Sequence, residues 1–310
     1  MSNHTQHPAG PSARMGLSAV PDLSRRARPG ETVIRGILML SAFLSVAITI
    51  GIIVALIRPV LDFFAEVSFE DFFATEGQFA VLPLIAGTFM VTAIALLVAV
   101  PLGLGAAMYL SEYASRRARK VLKPTVELLA GVPSVVYGFF ALTFVTPTLL
   151  QDVLNLEVGF TNALAAGLVL GVMVIPTIAS LAEDSLSAVP QALRQGSLAM
   201  GANRMQTTLR VVLPAALSGV AAAVVLGMSR AVGETMIVAL AAGAQKNLTL
   251  DPREGMQTMT AFIAQTAGGE NPVGSTSYNT LFAVGLLLFL ITLVVNFVSI
   301  AFVRRFRQVY

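Results

Sequence analysis

The sequence predicts an all-α membrane protein with six transmembrane helices, and three observations lead to this fold class. Hydrophobic residues make up 55% of the 310-residue chain and charged residues only 12%, about half the charged fraction of soluble domains. Apolar runs recur at lengths near the roughly 20 residues that a helix needs to cross the hydrocarbon core. Arginine and lysine are concentrated in alternate connections between these runs.

The six apolar runs set the order of the elements along the chain. They lie at about residues 36–57, 81–110, 126–150, 161–182, 212–243 and 278–303. The second and fifth runs exceed one crossing, which predicts tilted or kinked helices there. Gly131–Val132–Pro133 and Ile175–Pro176 interrupt the third and fourth runs. We interpret both as helix kinks, with either a packing role or a gating role.

The loop charges orient these spans. Basic residues cluster before the first span, after the second and fourth, and at the C-terminus, whereas the intervening loops are acidic on balance. The basic residues are Arg14, Arg25, Arg26, Arg28 and Arg35; Arg116, Arg117, Arg119, Lys120 and Lys123; Arg194, Arg204 and Arg210; and Arg304, Arg305 and Arg307. Because short cytoplasmic loops are enriched in lysine and arginine, both termini are predicted to be cytoplasmic.

The first part of the chain differs from the rest in composition. Residues 1–32 are polar and rich in Pro, Ser and Gly, which predicts a disordered cytoplasmic tail before one transmembrane domain over 33–310. A polar stretch of this length before the first apolar run is unlike a cleavable signal peptide. His4 and His7 lie in this tail, and we interpret them as part of it rather than as metal ligands.

Several function classes are excluded by what the sequence lacks. The chain has no cysteine, so it has no disulfide framework and no cysteine metal site. It contains no GxxxxGK[ST], HExxH or GxSxG motif. The net charge is +3. The basic residues are spread over the four segments named above and form no single basic patch for nucleic acid. We therefore predict a protein that is not an enzyme and binds no metal, cofactor or nucleic acid.

The residue pattern of segment 185–211, which lies before the fifth span, predicts two short helices around Gly201. Glycine suits the left-handed residue that ends a helix, Pro190 suits a first helical turn, and Pro214 suits the start of the next helix. Small residues follow Gln195 and favour close approach of a partner. Two interpretations stay open: a docking site for a partner protein, or an amphipathic helix on the lipid surface.

The fifth span carries a small residue at every fourth position. These residues are Ala215, Gly219, Ala223, Gly227, Ala231, Thr235, Ala239 and Gly243. Such a ridge lets helices approach closely in a membrane, so this helix is predicted to lie in the interior of the bundle.

Two charged residues lie beside this ridge. Arg230 and Glu234 are four residues apart, which places them one above the other on a continuous helix. An arginine inside a span costs about 3 kcal/mol and usually faces a cavity or a partner, and its planar fork suits tetrahedral oxyanions. We expect Arg230, Glu234 and Thr235 to line a substrate pathway. The alternatives are an ion pair that only stabilises packing, or an arginine that reaches toward the far interface.

The spacing around Gly201 resembles a known motif. Bacterial ABC importer permeases carry EAA, three residues, Gly, nine residues and Ile-x-Leu-Pro in a loop that docks in a groove of the ATP-binding subunit. The resemblance implies that this ATPase-coupling role belongs here to Gln195, Gly196, Ser197, Gly201, Val211, Leu213 and Pro214. The chain departs from the motif at its start, where Gln195 replaces the acidic residue and Gly196 and Ser197 replace the two alanines. Gln195 can form a hydrogen bond but cannot make a charge-assisted contact. We call residues 185–211 the coupling segment.

A second resemblance covers nearly all of residues 30–310. The stretches 128–142, 229–243 and 302–310 resemble the membrane subunits of the phosphate-specific ABC importer (the Pst system), and its C-type permease more than its A-type sister. This implies a type I ABC importer permease fold in the bacterial inner (plasma) membrane. It also implies that Arg230 and Glu234 match the charged pair on the phosphate path.

The same resemblance implies a set of partners. They are a sister permease, two ATP-binding subunits that hold ATP and Mg, and a periplasmic or extracellular phosphate-binding protein. Driven uptake agrees with the energetics, since each negative charge entering the cell costs about 2.3 kcal/mol per 100 mV. Two alternatives stay open: a permease for another oxyanion such as sulfate or molybdate, and a phosphate-sensing scaffold for a signalling kinase.

Overall fold

The computed structural model describes residues 29–305, with the side chains of residues 30–301. Residues 29–305 contain helices and no strand, which confirms the predicted all-α class. Residues 1–28 of the predicted tail (1–32) lie outside the described residues. Residues 306–310 of the 302–310 stretch also lie outside them. The first helix begins at Pro29, four residues before the predicted domain boundary.

Thirteen α-helices and three π-helical stretches make up the described chain. The first half contains α1 (Pro29–Glu66), α2 (Phe69–Phe72), α3 (Leu82–Met108) with a π turn (Tyr109–Tyr113), α4 (Arg116–Leu129), α5 (Ser134–Phe140) with a π-helix (Ala141–Val153), and α6 (Ala163–Ser187). The second half contains α7 (Gln191–Ala199), α8 (Arg204–Thr207), a π turn (Thr208–Val212), α9 (Leu213–Ala215), α10 (Leu217–Val232), α11 (Met236–Ala241), α12 (Met259–Gly268) and α13 (Thr276–Arg305).

Five of these helical segments are long and apolar enough to cross a membrane. They are Gly30–Glu66, Leu82–Tyr113, Ser134–Val153, Ala163–Ser187 and Thr276–Ala301. A sixth is formed by Arg204–Ala215 and Leu217–Val232 together, although the two parts meet at an angle of 74°. The predicted six spans are thus five continuous helices and one broken one.

The third span begins later than predicted. Residues 126–129 belong to α4, a strongly amphipathic helix, and the span itself runs over Ser134–Val153. The predicted kink at Gly131–Val132–Pro133 is a complete break, because Pro133 is extended (φ −58°, ψ 135°) and α5 starts after it. Pro176, in contrast, lies inside α6, which runs on without a break.

The fifth span is not the continuous helix predicted over 212–243. Helix α10 starts at Leu217, after the 74° bend, and ends at Val232, and a second interruption follows because α11 begins only at Met236. The Glu234 carboxylate accepts a hydrogen bond from the Met236 N–H (3.0 Å), while the Thr260 hydroxyl donates to the Glu234 carbonyl (2.7 Å). The break therefore has its own polar partners, which a continuous helix would lose.

The predicted small-residue ridge packs inside the bundle over the length of α10. Ala223, Gly227 and Ala231 are buried, and a Cβ on Gly227 would lie 2.6 Å from Ile178 of α6. Helices α6 and α3 approach one another equally closely, since a Cβ on Gly167 would lie 2.6 Å from Ile94. Small residues thus set the helix spacing here. The chain divides after Ile52 into two compact units, and this core belongs to the second.

Candidate functional site

Gly201 turns the chain between the two helices of the coupling segment, as predicted. Its φ of +88° lies in the left-handed region, which favours glycine. The Gly201 N–H donates to the Leu198 carbonyl (3.0 Å) and the Ala202 N–H to the Ser197 carbonyl (3.2 Å), the two bonds of a Schellman motif. Within the described residues a Cβ at position 201 would meet no heavy atom within 4 Å, so backbone strain, and not crowding inside this chain, favours glycine there.

Local hydrogen bonds fix the rest of the turn. Asn203 and Gln206 form a reciprocal capping box at the start of α8, with bonds of 2.8 and 3.0 Å. The hydroxyls of Ser197 and Thr207 lie 3.0 Å apart and join α7 to α8. Pro190 precedes the first residue of α7, and Pro214 lies in α9 before the bend. The coupling segment is therefore a defined structure rather than an irregular loop.

The tip of the coupling segment presents apolar side chains at its surface. Met200 is 88% exposed and Met205 is 63% exposed. Leu198, near the end of α7, is also exposed. Gln195 and Gly196 are exposed as well, whereas Ser197 is half-buried. Methionine side chains adapt readily to a binding surface, so this tip has the composition of a contact site for another protein or for lipid.

Arg194 is the buried residue of α7, although its sequence context predicts only a contribution to the loop charge. Its side chain is 11% exposed. The guanidinium donates to the carbonyls of Val189 (2.6 Å) and Leu186 (2.7 Å) and to the Glu112 carboxylate (2.9 Å). Arg194 thus connects α7 to the end of α6 and to the π turn that follows α3. Nothing in its sequence context separates it from the exposed arginines of the segment.

Glu183, near the end of α6, is the centre of a second charged cluster. Its side chain is fully buried, and it accepts hydrogen bonds from Lys123 (2.6 Å), Ser187 (2.8 Å) and Arg119. Lys123 also bonds Asp184 (2.7 Å). The hydrogen bonds from Lys123 to Asp184 and Glu183 raise the pKa of its ammonium group. This cluster holds the amphipathic helix α4 against α6.

Arg230 and Glu234 are not the stacked pair that a continuous helix would give. Within the described residues the Arg230 guanidinium makes one hydrogen bond, to the Thr177 hydroxyl of α6 (2.9 Å), and no ion pair joins it to Glu234. Because Glu234 caps α11 instead, the alternative of an intrahelical ion pair is wrong. Thr235 is half-buried at the start of α11. The side chain of Arg230 is half-buried too.

A family of transport proteins matches most of this architecture. Residues 99–308 match the family of binding-protein-dependent transport system inner membrane components. The chain belongs to this family. It is accordingly a multi-pass protein of the bacterial inner membrane. The match includes the coupling segment, Arg194 and the broken fifth span, and it starts inside α3.

Curated relatives within the family resemble the chain over most of its length. A probable ABC transporter permease of Bacillus subtilis, YqgH, is 41% identical and covers 74% of this chain and 72% of its own. The phosphate transport system permease protein PstC 1 of Mycobacterium tuberculosis is 39% identical (74% and 73% covered). PstC of Haemophilus influenzae is 30% identical (87% and 90% covered). These relatives confirm the resemblance to the C-type permeases, and they are transport subunits rather than enzymes.

Solved ABC transporter structures share the fold. A bacterial alginate ABC transporter chain, in complex with an alginate-bound periplasmic protein, aligns with a TM-score of 0.64 at 17% identity and covers 89% of this chain and 96% of its own. A chain of the inward-facing MetNI methionine ABC transporter aligns with a TM-score of 0.55 at 21% identity (74% and 94% covered). The predicted ABC importer permease fold is confirmed.

Proposed function

We propose that this chain is the membrane-spanning permease subunit of an ATP-driven importer that moves inorganic phosphate into the cell. The observation that carries the proposal is the coupling segment: a Schellman turn at Gly201 with an exposed apolar tip, directly before the span that bears Arg230. The choice of phosphate rests on the relatives that are named phosphate transport permeases at 39% and 30% identity.

The family description, binding-protein-dependent transport, supports the assembly that we propose. Transport by members of this family depends on a binding protein. In the proposal, that protein binds phosphate at the outer face of the membrane. A sister permease completes the membrane path, and two ATP-binding subunits, which hold ATP and Mg, dock on the cytoplasmic face. Residues 195–214 transmit their closure to the membrane helices. The chain itself holds no cofactor and catalyses no reaction, since hydrolysis takes place on the ATP-binding subunits.

Arg230 is the proposed phosphate-interacting residue of this subunit. Within the described residues its one hydrogen bond, to Thr177, leaves most of the five guanidinium donors for an oxyanion. Glu234 and Thr235 lie in the break that follows, where the non-helical backbone lines a pathway rather than lipid. One arginine is too little to hold phosphate, so the sister permease contributes to the same site.

Uptake into proteoliposomes tests the function. The chain is co-reconstituted with its sister permease, the ATP-binding subunits and the binding protein, and radiolabelled phosphate is followed with and without ATP. We expect uptake only with ATP, and loss of the signal when unlabelled phosphate competes. Uptake without ATP would contradict the importer. Competition by sulfate or molybdate as strong as that by phosphate would assign the permease to another oxyanion.

A further inference from the structure

Arg194 is the buried residue of α7, which we call the docking helix, and its neighbour Leu193 packs partly buried against the core at the ends of α3 and α6. Arg194 lies between the exposed residues of that helix and the body of the protein, and its side chain reaches two membrane spans at once. The carbonyls of Leu186 and Val189 belong to the end of α6 and the turn after it, and Glu112 belongs to the π turn after α3. The last carbonyls of a helix lack the N–H partners of its interior, so a cation there is favoured by both hydrogen bonding and the helix dipole, and the Leu186 carbonyl accepts from Arg194 in addition to the Val189 N–H (3.2 Å).

The contact is rigid for geometric reasons. A guanidinium is a planar fork that holds several acceptors at fixed angles, and Arg194 and Glu112 are each only 11% exposed. Within the described residues every buried side-chain nitrogen and oxygen has a hydrogen-bond partner. A fully satisfied buried network of this kind fixes its members relative to one another.

The network continues beyond Arg194. Ser111 donates to Glu112 (3.0 Å), and Ser187 lies 3.4 Å from Ser111 and donates to Glu183 (2.8 Å). Glu183 holds Arg119 and Lys123 of α4. Polar contacts therefore run from α7 through the ends of α3 and α6 to α4, without passing through the backbone of the fifth span.

The backbone route from the docking helix is less direct. Between Gly201 and α10 the chain passes through a π turn (Thr208–Val212) and then bends by 74°. A displacement of α7 along this route is changed in direction before it reaches Arg230. Through Arg194 the same displacement acts at once on α3 and α6, which pack closely at Gly167 and therefore move together.

We infer that Arg194, held by Glu112, is a positioning residue that transmits movement of the docked coupling segment into α3 and α6. The inference rests on the proposed function, because the movement is that of ATP-binding subunits closing on this chain. It adds a second route of transmission beside the backbone from Gly201 to Pro214.

The test measures phosphate taken up per ATP hydrolysed by the complete reconstituted complex. Arg194→Met is expected to lower this ratio about fivefold or more, the scale of coupling between distinct sites, while ATP hydrolysis continues. Glu112→Gln keeps the shape and an acceptor but removes the charge, and it is expected to lower the ratio less. Arg194→Lys, which keeps the charge, should recover part of the loss. Arg117→Met, on the exposed side of α4, is the matched control and should keep the wild-type ratio.

The outcomes separate this inference from the proposed function. If the wild-type complex shows no ATP-driven phosphate uptake, the function itself fails. If the wild type is coupled and Arg194→Met lowers uptake and hydrolysis equally, Arg194 only maintains structure and the inference is overturned. If Arg194→Met does not assemble, Glu112→Gln decides, and an unchanged ratio in that variant overturns the inference as well.

Discussion

Replacing Arg230 with methionine is expected to reduce ATP-driven phosphate uptake at least about tenfold, the scale of losing a hydrogen bond to a charged group. Methionine keeps the length of the side chain but has no charge and no donor. Within the described residues the half-buried guanidinium makes one hydrogen bond, to Thr177, so stability is expected to fall by about 1.5 kcal/mol, the lower end of the range for a hydrogen bond to a charged group. Initial uptake rates in proteoliposomes, normalised to assembled complex, are the measurement.

Two further variants separate the charge from the local structure. Arg230→Lys keeps the cation and loses the planar fork, so we expect intermediate uptake. Thr177→Val removes the hydrogen bond to Arg230 and leaves the guanidinium in place, so uptake should remain near the wild-type rate. Normal uptake by Arg230→Met would remove Arg230 from the phosphate pathway and leave the rest of the assembly unaffected.

The Glu183→Leu variant is expected to lose about 2–3 kcal/mol of stability. Removing one partner of a buried ion pair costs about 3–5 kcal/mol, and the value is lower here because Arg119 and Lys123 remain 39% and 27% exposed and can be hydrated. Leucine also removes the nearer acceptor of the Ser187 hydroxyl (2.8 Å) and leaves it only Ser111 at 3.4 Å. The apparent melting temperature in detergent should therefore fall by roughly 4–10 °C.

Asp184→Asn is the matched control for this prediction. Asp184 is the next residue and also pairs with Lys123, but its side chain is 60% exposed. An exposed ion pair contributes about 0–1 kcal/mol, so this variant should melt within about 3 °C of the wild type. Equal shifts in the two variants would show that burial of Glu183 does not matter to the cluster.

Patterns that are local in sequence predicted much of this structure. Apolar runs of membrane-spanning length gave the number and order of the spans, and the glycine at position 201 gave the left-handed turn that its φ of +88° confirms. The small-residue ridge gave the buried face of α10. Each of these features depends on residues close together in the chain, where periodicity and backbone preference decide.

The break after Val232 in the fifth span depends on a distant residue, and the sequence patterns do not predict it. The stretch over 229–243 is apolar and rich in alanine, which favours a continuous helix. The helix ends at Val232 because the interrupted backbone is satisfied by Glu234 itself and by Thr260, 26 residues away. The sequence contains a hint in Gly233, but one glycine does not identify a break.

Charged contacts between segments were missed for a similar reason. Arg194 and Glu112 are 82 residues apart, and each has an ordinary charged loop context. The four basic residues Arg116, Arg119, Lys120 and Lys123 have helical spacing and would have indicated α4 as an amphipathic helix. The partner of that helix, the buried Glu183, lies inside an apolar span, where an acidic residue is itself a sign of function or pairing.

Site-specific cross-linking from the tip of the coupling segment tests the central claim most directly. The chain has no cysteine, so Met200→Cys places one benzophenone-maleimide label on a side chain that is 88% exposed. After illumination of the complete complex in membranes, the account predicts a covalent adduct between this chain and an ATP-binding subunit. Adducts with lipid alone would show that the segment lies on the membrane surface, and would contradict the account.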